Sequence, residues 1–172
     1  MGWQRIRDAH PNPAHVALRA FEGQNRLSLL VTQNVDALHQ KAGSENVVDL
    51  HGRLDAVECL HCRTQLSREA YQVSLIAANP NHDAADPAAT IRAVPDGDAD
   101  LGAFDYERFV VPDCELCGGV MKPAVVFFGE AVPAERVARA YAELARSDAL
   151  LVVGSSLSLF SGFRFVKAAV KA

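Results

Sequence analysis

Four cysteines constrain this 172-residue chain more than any other feature, because they come as two pairs, Cys59-x-x-Cys62 and Cys114-x-x-Cys117. Each pair can present two thiolates to one ion. Two pairs complete a tetrahedral zinc site with no position left open for catalysis. Filling that site ties residues 59–62 to residues 114–117 and makes everything between them an insertion anchored at both ends. Gly118-Gly119 suits the tight turn of the second knuckle, since glycine tolerates positive φ. Two disulfides are the competing reading, disfavoured where no signal peptide opens the chain. A redox CxxC does not account for two pairs. His61, inside the first knuckle, reads as a surface residue.

The rest of the composition excludes more than it selects. A net charge of −4 and a pI near 5.8 argue against a nucleic-acid or anionic-membrane surface, and neither knuckle carries a basic cluster. No apolar run approaches the roughly 20 residues of a membrane helix. The expected location is cytoplasmic, and the length fits one domain with a small appended module.

Outside the cysteine segment the text is α/β. Asn12-Pro13 followed by Ala14, Val16, Ala17, Leu18 and Phe21 reads as a capped helix ending near Gly23. Leu27–Val31 reads as a buried parallel strand, Val35–Ala42 as a helical turn or two closed by Gly43, and Val47–Leu50 as the next strand. Ser67 is placed to cap a short helix through about Ala77. Turn signals follow: Asn79-Pro80, Asp86-Pro87 and the acidic Pro95–Asp100, which reads as a solvated loop. Ala124–Phe128 is expected to be a buried strand, Pro133 starts a helix, and Ala149–Val153 is expected to be a strand completing a βαβ unit. Ser161 is expected to cap a final helix with Phe163, Val166 and Val170 on its apolar face. The resulting fold class is a Rossmann-like parallel sheet with an inserted zinc-ribbon module. Residues 1–53 and 121–172 are expected to form the α/β domain, and residues 54–120 the module.

Each strand run ends in a small or polar cluster: Thr32-Gln33-Asn34, His51-Gly52, Gly129-Glu130 and Gly154-Ser155-Ser156. In open α/β sheets ligands bind beyond the carboxyl ends of the strands, so four such ends suggest one crevice. Gly154-Ser155-Ser156 offers close backbone approach and hydroxyls for a ribose or phosphate, or is ordinary loop chemistry. Asn34 and Asp36 suit ribose hydroxyls or a carboxamide. His51 is either a general base, a role that histidine's titration near neutrality permits, or a satisfied structural histidine. No GxSxG elbow, HExxH, Walker A or dinucleotide glycine loop is present.

Taken together, Thr32–Gly43 (TQNVDALHQKAG), Asp49–Gly52 (DLHG), the two CxxC pairs, Val125–Glu130 (VVFFGE) and Gly154–Leu159 (GSSLSL) resemble the sirtuins, the NAD-dependent protein-lysine deacylases. Pro95–Asp98 and Phe160–Phe165 look most like the class II branch, the lipoamidase-like mitochondrial and bacterial type. The resemblance implies NAD as cosubstrate and an acyl-lysine protein or peptide as partner. Gln33, Asn34, Val35 and Asp36 would line the nicotinamide and ribose pocket, and His51, with Asn34, would carry the chemistry. Val126, Phe128 and Gly129 would line the lysine tunnel and pair with the peptide backbone. Gly154, Ser155 and Ser156 would hold the adenosine side of NAD, and Cys59, Cys62, Cys114 and Cys117 the zinc. The family opens with a strand and a GAG-x-S loop leading to P-D-F-R, and ends with a further strand. Neither is present here. A chain truncated at both ends, with a reduced grip on NAD, is the expectation. The rival functions are a non-catalytic zinc-stabilised binding module and mono-ADP-ribosyl transfer from the same NAD pocket.

Overall fold

The computed structural model describes residues 2–80, 92–93, 99–100 and 107–171. The chain divides into two compact units, Met1–Asp8 with Leu54–Ala124, and Ala9–Arg53 with Val125–Ala172. From the sequence, residues 1–8 are expected in the α/β domain. They group with the cysteine unit, where helix α1 (Gly2–Asp8) brings the Trp3 ring under the guanidinium of Arg68, 5.7 Å from the ring centre.

The second unit begins with helix α2 (Pro13–Gly23), built as its sequence dictates. The Asn12 side chain accepts from the N–H groups of Ala14 and His15, Pro13 occupies the first turn, and the buried His15 ring accepts the Asn12 N–H at 3.2 Å. Those bonds satisfy donors that every helix N-terminus leaves orphaned. Strands β1 (Leu30–Thr32) and β2 (Val47–Asp49) pair in parallel, Leu30 opposite Val47 and Thr32 opposite Asp49. Between them lies the single-turn helix α3 (Leu38–Lys41). The Asp36 carboxylate accepts the Leu38 N–H at 2.9 Å before its start, and Gly43 follows its end at φ +92°. Glu22 of α2 accepts the N–H groups of Glu45 and Asn46 and so fixes the entry to β2. β1 is shorter and later than the apolar run suggested, and Val31 is 38% exposed, so only alternate residues of this strand are buried.

In the cysteine unit, β3 (Gly52–Cys59) lies between β4 (Gln65–Ser67) and β7 (Met121–Val125), with β4 antiparallel to it. Two two-residue strands, β5 (Arg92–Ala93) and β6 (Ala99–Asp100), pair antiparallel. Ser67 caps helix α4 (Arg68–Ala78) by accepting the Ala70 N–H at 3.1 Å. Val57, Cys59, Tyr71, Leu75, Cys114 and Met121 form the core. Asn79, a turn signal in the sequence, is buried instead: its amide donates to the carbonyls of Leu75 and Val110 and accepts the Val110 N–H, each at 2.7 Å. A buried amide needs such partners to offset its lost hydration. Of the acidic run read as a loop over Pro95–Asp100, Ala99–Asp100 is strand β6 instead, while Pro95–Asp98 and the Asp86-Pro87 turn lie outside the described residues.

Two strand expectations fail. The pairing strand is Met121–Val125, not Ala124–Phe128, and Phe128 is 97% exposed. Turn chemistry overrides apolar composition there. Glu130 donates its N–H to the Phe127 carbonyl and accepts the Phe127 N–H on its carboxylate, and Gly129 sits at φ +90°, a region that favours glycine. Ala149–Val153 forms no strand, and Leu151 is 69% exposed. A β-strand exists only through a neighbour's ladder, and among the described residues none pairs with this run. Helix α5 (Ala134–Leu144) starts after Pro133 as read, and buries Ala140. Helix α6 (Phe160–Ala169) buries Phe165, whereas Phe163 and Val170 of the expected apolar face are exposed. Leu50, Ala140 and Phe165 are the core of this unit, with the Tyr141 ring edge-on to Phe165 at 5.0 Å.

Candidate active site and metal centre

The four cysteine sulfurs all lie within 4.8 Å of one another. Zinc held at about 2.3 Å by four thiolates sets its sulfurs about 3.8 Å apart. Here Cys59 and Cys117 are separated by 3.5 Å, and Cys62 and Cys114 by 3.7 Å. The backbone N–H groups of His61 and Cys62 point at the Cys59 sulfur, which stabilises a thiolate. The Thr64 hydroxyl and N–H hold the Cys62 thiol down to about 6. At Cys117 the Gly119 N–H also favours the thiolate, but the sulfurs of Cys59, Cys62 and Cys114, together with burial, outweigh it and push the thiol up to about 12. For all four to be thiolates at this spacing, a cation among them is needed to offset their repulsion. A side chain on Gly119 would meet the Cys59 sulfur at 2.9 Å and His61 at 2.7 Å, which explains the glycine. The donor set fits one structural zinc, held by all four sulfurs. His61 is exposed and stands outside the sulfur cluster.

The second site assembles around His51, between the end of β2 and the start of β3. Its Nδ1 lies 3.1 Å from the Gln33 carbonyl oxygen and its Nε2 3.0 Å from the Ser161 hydroxyl. A carbonyl only accepts, so Nδ1 carries the proton and Nε2 the lone pair in the neutral ring. The Gln33 side chain, on the loop that leaves β1, donates to Ser155 Oγ at 3.1 Å. The His51 carbonyl accepts the Val126 N–H at 2.8 Å, which places Val126 beside the histidine. The described structure thus brings together Gln33, His51, Val126 and Ser155.

The other sequence candidates are less drawn in. Asn34 is exposed after the Thr32 hydroxyl accepts its N–H at 3.1 Å, and Val35 is half-buried beside it. Asp36 spends one carboxylate oxygen on Leu38 and keeps the other. Ser156 turns to Ser158, 2.9 Å between hydroxyls, and Gly154 is exposed at φ +64° with open space where a side chain would be. Phe128 and Gly129 sit on the exposed turn after β7.

Sequence reasoning missed Ser161. It was expected to cap α6, but the cap position is Leu159, so Ser161 lies within the first turn and its hydroxyl is spent on His51. Nothing local signals this, because the two residues are far apart in the chain. A second missed cluster pairs the rings of His15 and His39 at 4.6 Å between centres. Burial, then His15, lower the pKa of His39, against the opposing pull of Asp36 and Asp49.

A parallel strand pair ending in such a loop-borne site, beside a unit whose four cysteine sulfurs converge, defines a Rossmann-like α/β fold with a candidate structural zinc site. The particular family follows from direct comparison. The Sir2 family profile matches residues 2–161, and the chain belongs to the Sir2 family. It is 55% identical over 172 residues to an NAD-dependent protein deacetylase of Bordetella bronchiseptica, covering 100% of this chain and 61% of that protein. It is 54% identical over 171 residues to an NAD-dependent protein deacetylase of Xanthomonas axonopodis pv. citri, covering 99% of this chain and 57% of that one. A solved structure of Sir2 with a p53 peptide and NAD+ superimposes with a TM-score of 0.72 at 28% identity, covering 97% of this chain and 57% of that chain. The chain spans about three fifths of the length of the curated relatives it matches. Among the described residues no helix is long and apolar enough to cross a membrane.

Proposed function

We propose that this chain carries the catalytic residues of an NAD-dependent protein-lysine deacylase, which moves the acyl group of an acyl-lysine to ADP-ribose and releases nicotinamide. The observation that carries the reading is the pinned His51 ring, with Nδ1 held by the Gln33 carbonyl and Nε2 left as the lone-pair nitrogen facing the Ser161 hydroxyl. Relatives named NAD-dependent protein deacetylase support it at 54–55% identity.

The residues present fit the nicotinamide ribose end of NAD. Carboxamides at Gln33 and Asn34 match a carboxamide, and the spare Asp36 oxygen and His51 Nε2 match hydroxyl donors. When bound, NAD supplies the electrophilic ribose carbon that the acyl oxygen attacks. His51 Nε2 would accept the proton of a ribose hydroxyl, and the Gln33 carbonyl would steady the resulting imidazolium through Nδ1–H. Phe128 and Gly129 offer an exposed turn, next to the half-buried Val126, for strand-like pairing with a substrate peptide. Gly154, Ser155 and Ser156 are assigned to the adenosine side. We read Phe160–Phe165 as the mark of the class II branch, with the acyl group to be found by assay. We also place the protein in the cytoplasm, where its free cysteines stay reduced for the zinc.

Turnover of acetyl-, lipoyl- and methylglutaryl-lysine peptides with NAD tests the reading. His51→Ala is expected to lower it by about 10²–10⁴-fold, the range for a lost general base. Turnover that survives His51→Ala would contradict the assignment. Calorimetric titration of NAD into this chain and into a version extended at both ends measures how much of the grip resides in these residues. Tighter binding by the longer version is the expected result.

A further inference from the structure

We propose that Ser161 is a positioning residue for His51: its hydroxyl holds Nε2 at the place where a substrate hydroxyl must arrive. The proposal rests on the reading of His51 as the base. Both ring nitrogens are engaged, Nδ1–H donating to the Gln33 carbonyl at 3.1 Å and Nε2 accepting from Ser161 at 3.0 Å. A ring held at one nitrogen can still swing about that bond; a ring held at both cannot, and its tautomer is fixed. Ser161 is well placed because α6 itself is locked. Phe165, one turn further along the helix, is buried with Leu50, the residue next to His51 in the chain. The helix also presses on the loop that supplies the other anchor. A side chain on Gly162 would lie 2.7 Å from Gln33 Nε2, which in turn donates to Ser155. The core contact, the hydroxyl and the Gln33 loop therefore fix one imidazole orientation from two sides.

A hydroxyl is suited to this post. It donates to the neutral ring and accepts from the protonated one, so it serves His51 in both charge states. An arriving substrate hydroxyl donates to Nε2 in its place, and the Ser161 hydroxyl then donates to that hydroxyl's oxygen, so neither group is left unpaired.

The test uses the zinc-loaded chain with Ser161→Ala and Ser161→Thr. The ¹⁵N resonance of His51 Nε2, read without NAD or peptide, is expected to move toward the unbonded value in Ser161→Ala and stay in place in Ser161→Thr. In turnover, kcat is expected to fall about tenfold in Ser161→Ala with KM for the acyl peptide within about twofold, roughly the weight of one hydrogen bond, and to recover in Ser161→Thr. An unchanged Nε2 resonance, an unchanged kcat, or no recovery with threonine overturns the proposal. Loss of the base reading shows separately, as turnover that survives His51→Gln. The nitrogen resonance then still decides whether Ser161 holds the ring.

Discussion

The cysteine unit and the nucleotide-side unit contrast in how completely their sequence signals are used. In the first, strong signals among the described residues end in satisfied contacts: four sulfurs converge, Ser67 caps its helix, Tyr71 donates to the Pro112 carbonyl at 2.6 Å, and Asn79 pairs with Val110. In the second, the chemistry-bearing loops converge on His51, yet the apolar run Leu150–Val153 is exposed and takes part in no described strand. A metal site organises its surroundings from a few ligands close in space. A parallel sheet is ordered only when each strand has its neighbours.

The largest expected effect lies in the cysteine unit. Cys59 is fully buried at the centre of both the sulfur cluster and the apolar core. Cys59→Ala, or strong chelation, is expected to remove the one zinc and melt the tertiary structure of that unit. Structural zinc supplies about 10–16 kcal/mol in small peptides. Metal analysis with near-ultraviolet circular dichroism reads the result, and a variant that loses zinc but stays ordered would erase the contrast between the units.

The next comparison lies within the nucleotide-side unit. Leu50 is 0% exposed against Ala140 and Phe165, so Leu50→Ala is expected to cost about 2–5 kcal/mol in denaturant unfolding. Leu151→Ala, in the unpaired run, is expected to stay within about 0.5 kcal/mol. Equal losses at the two sites would mean that the Leu150–Val153 run is packed after all.

The smallest effect is a pH dependence. Burial and the neighbouring His15 keep the folded His39 pKa below its ordinary 6.5, so the unfolded chain binds the proton more readily. That contribution is complete above about pH 6.5 and is lost as pH falls from there toward the folded pKa. His39→Gln is expected to flatten thermal stability across that window. Glu22 titrates separately and lower. Burial raises its pKa, but the N–H groups of Asn46 and Glu45, and Arg19, outweigh it and hold the pKa below 4.5, so its contribution fades only under stronger acid.

What could be read in the sequence was whatever is decided locally or by motif. Asn12-Pro13, Ser67 and Gly43 act within a few residues of themselves, and the two CxxC pairs state their ligand set outright. The candidate loops were legible because polar clusters interrupt apolar runs. Apart from the Gly129-Glu130 turn, which is set within four residues, the misses are non-local. Apolar composition suggested strands at Phe127-Phe128 and at Leu150–Val153, but pairing partners decide strands, and a Gly129-Glu130 turn decided the first. Phe165 in place of Phe163 faces the core because of where α6 meets Leu50. Ser161 has a role only once the fold brings it to His51.

Amide hydrogen exchange of the zinc-loaded chain, resolved by segment, tests the contrast between the units most directly. The account expects the slowest exchange at residues 57–59 and 71–75, with residues 150–153 exchanging near the rate of unstructured chain. Protection at 150–153 as strong as at 57–59 would contradict it.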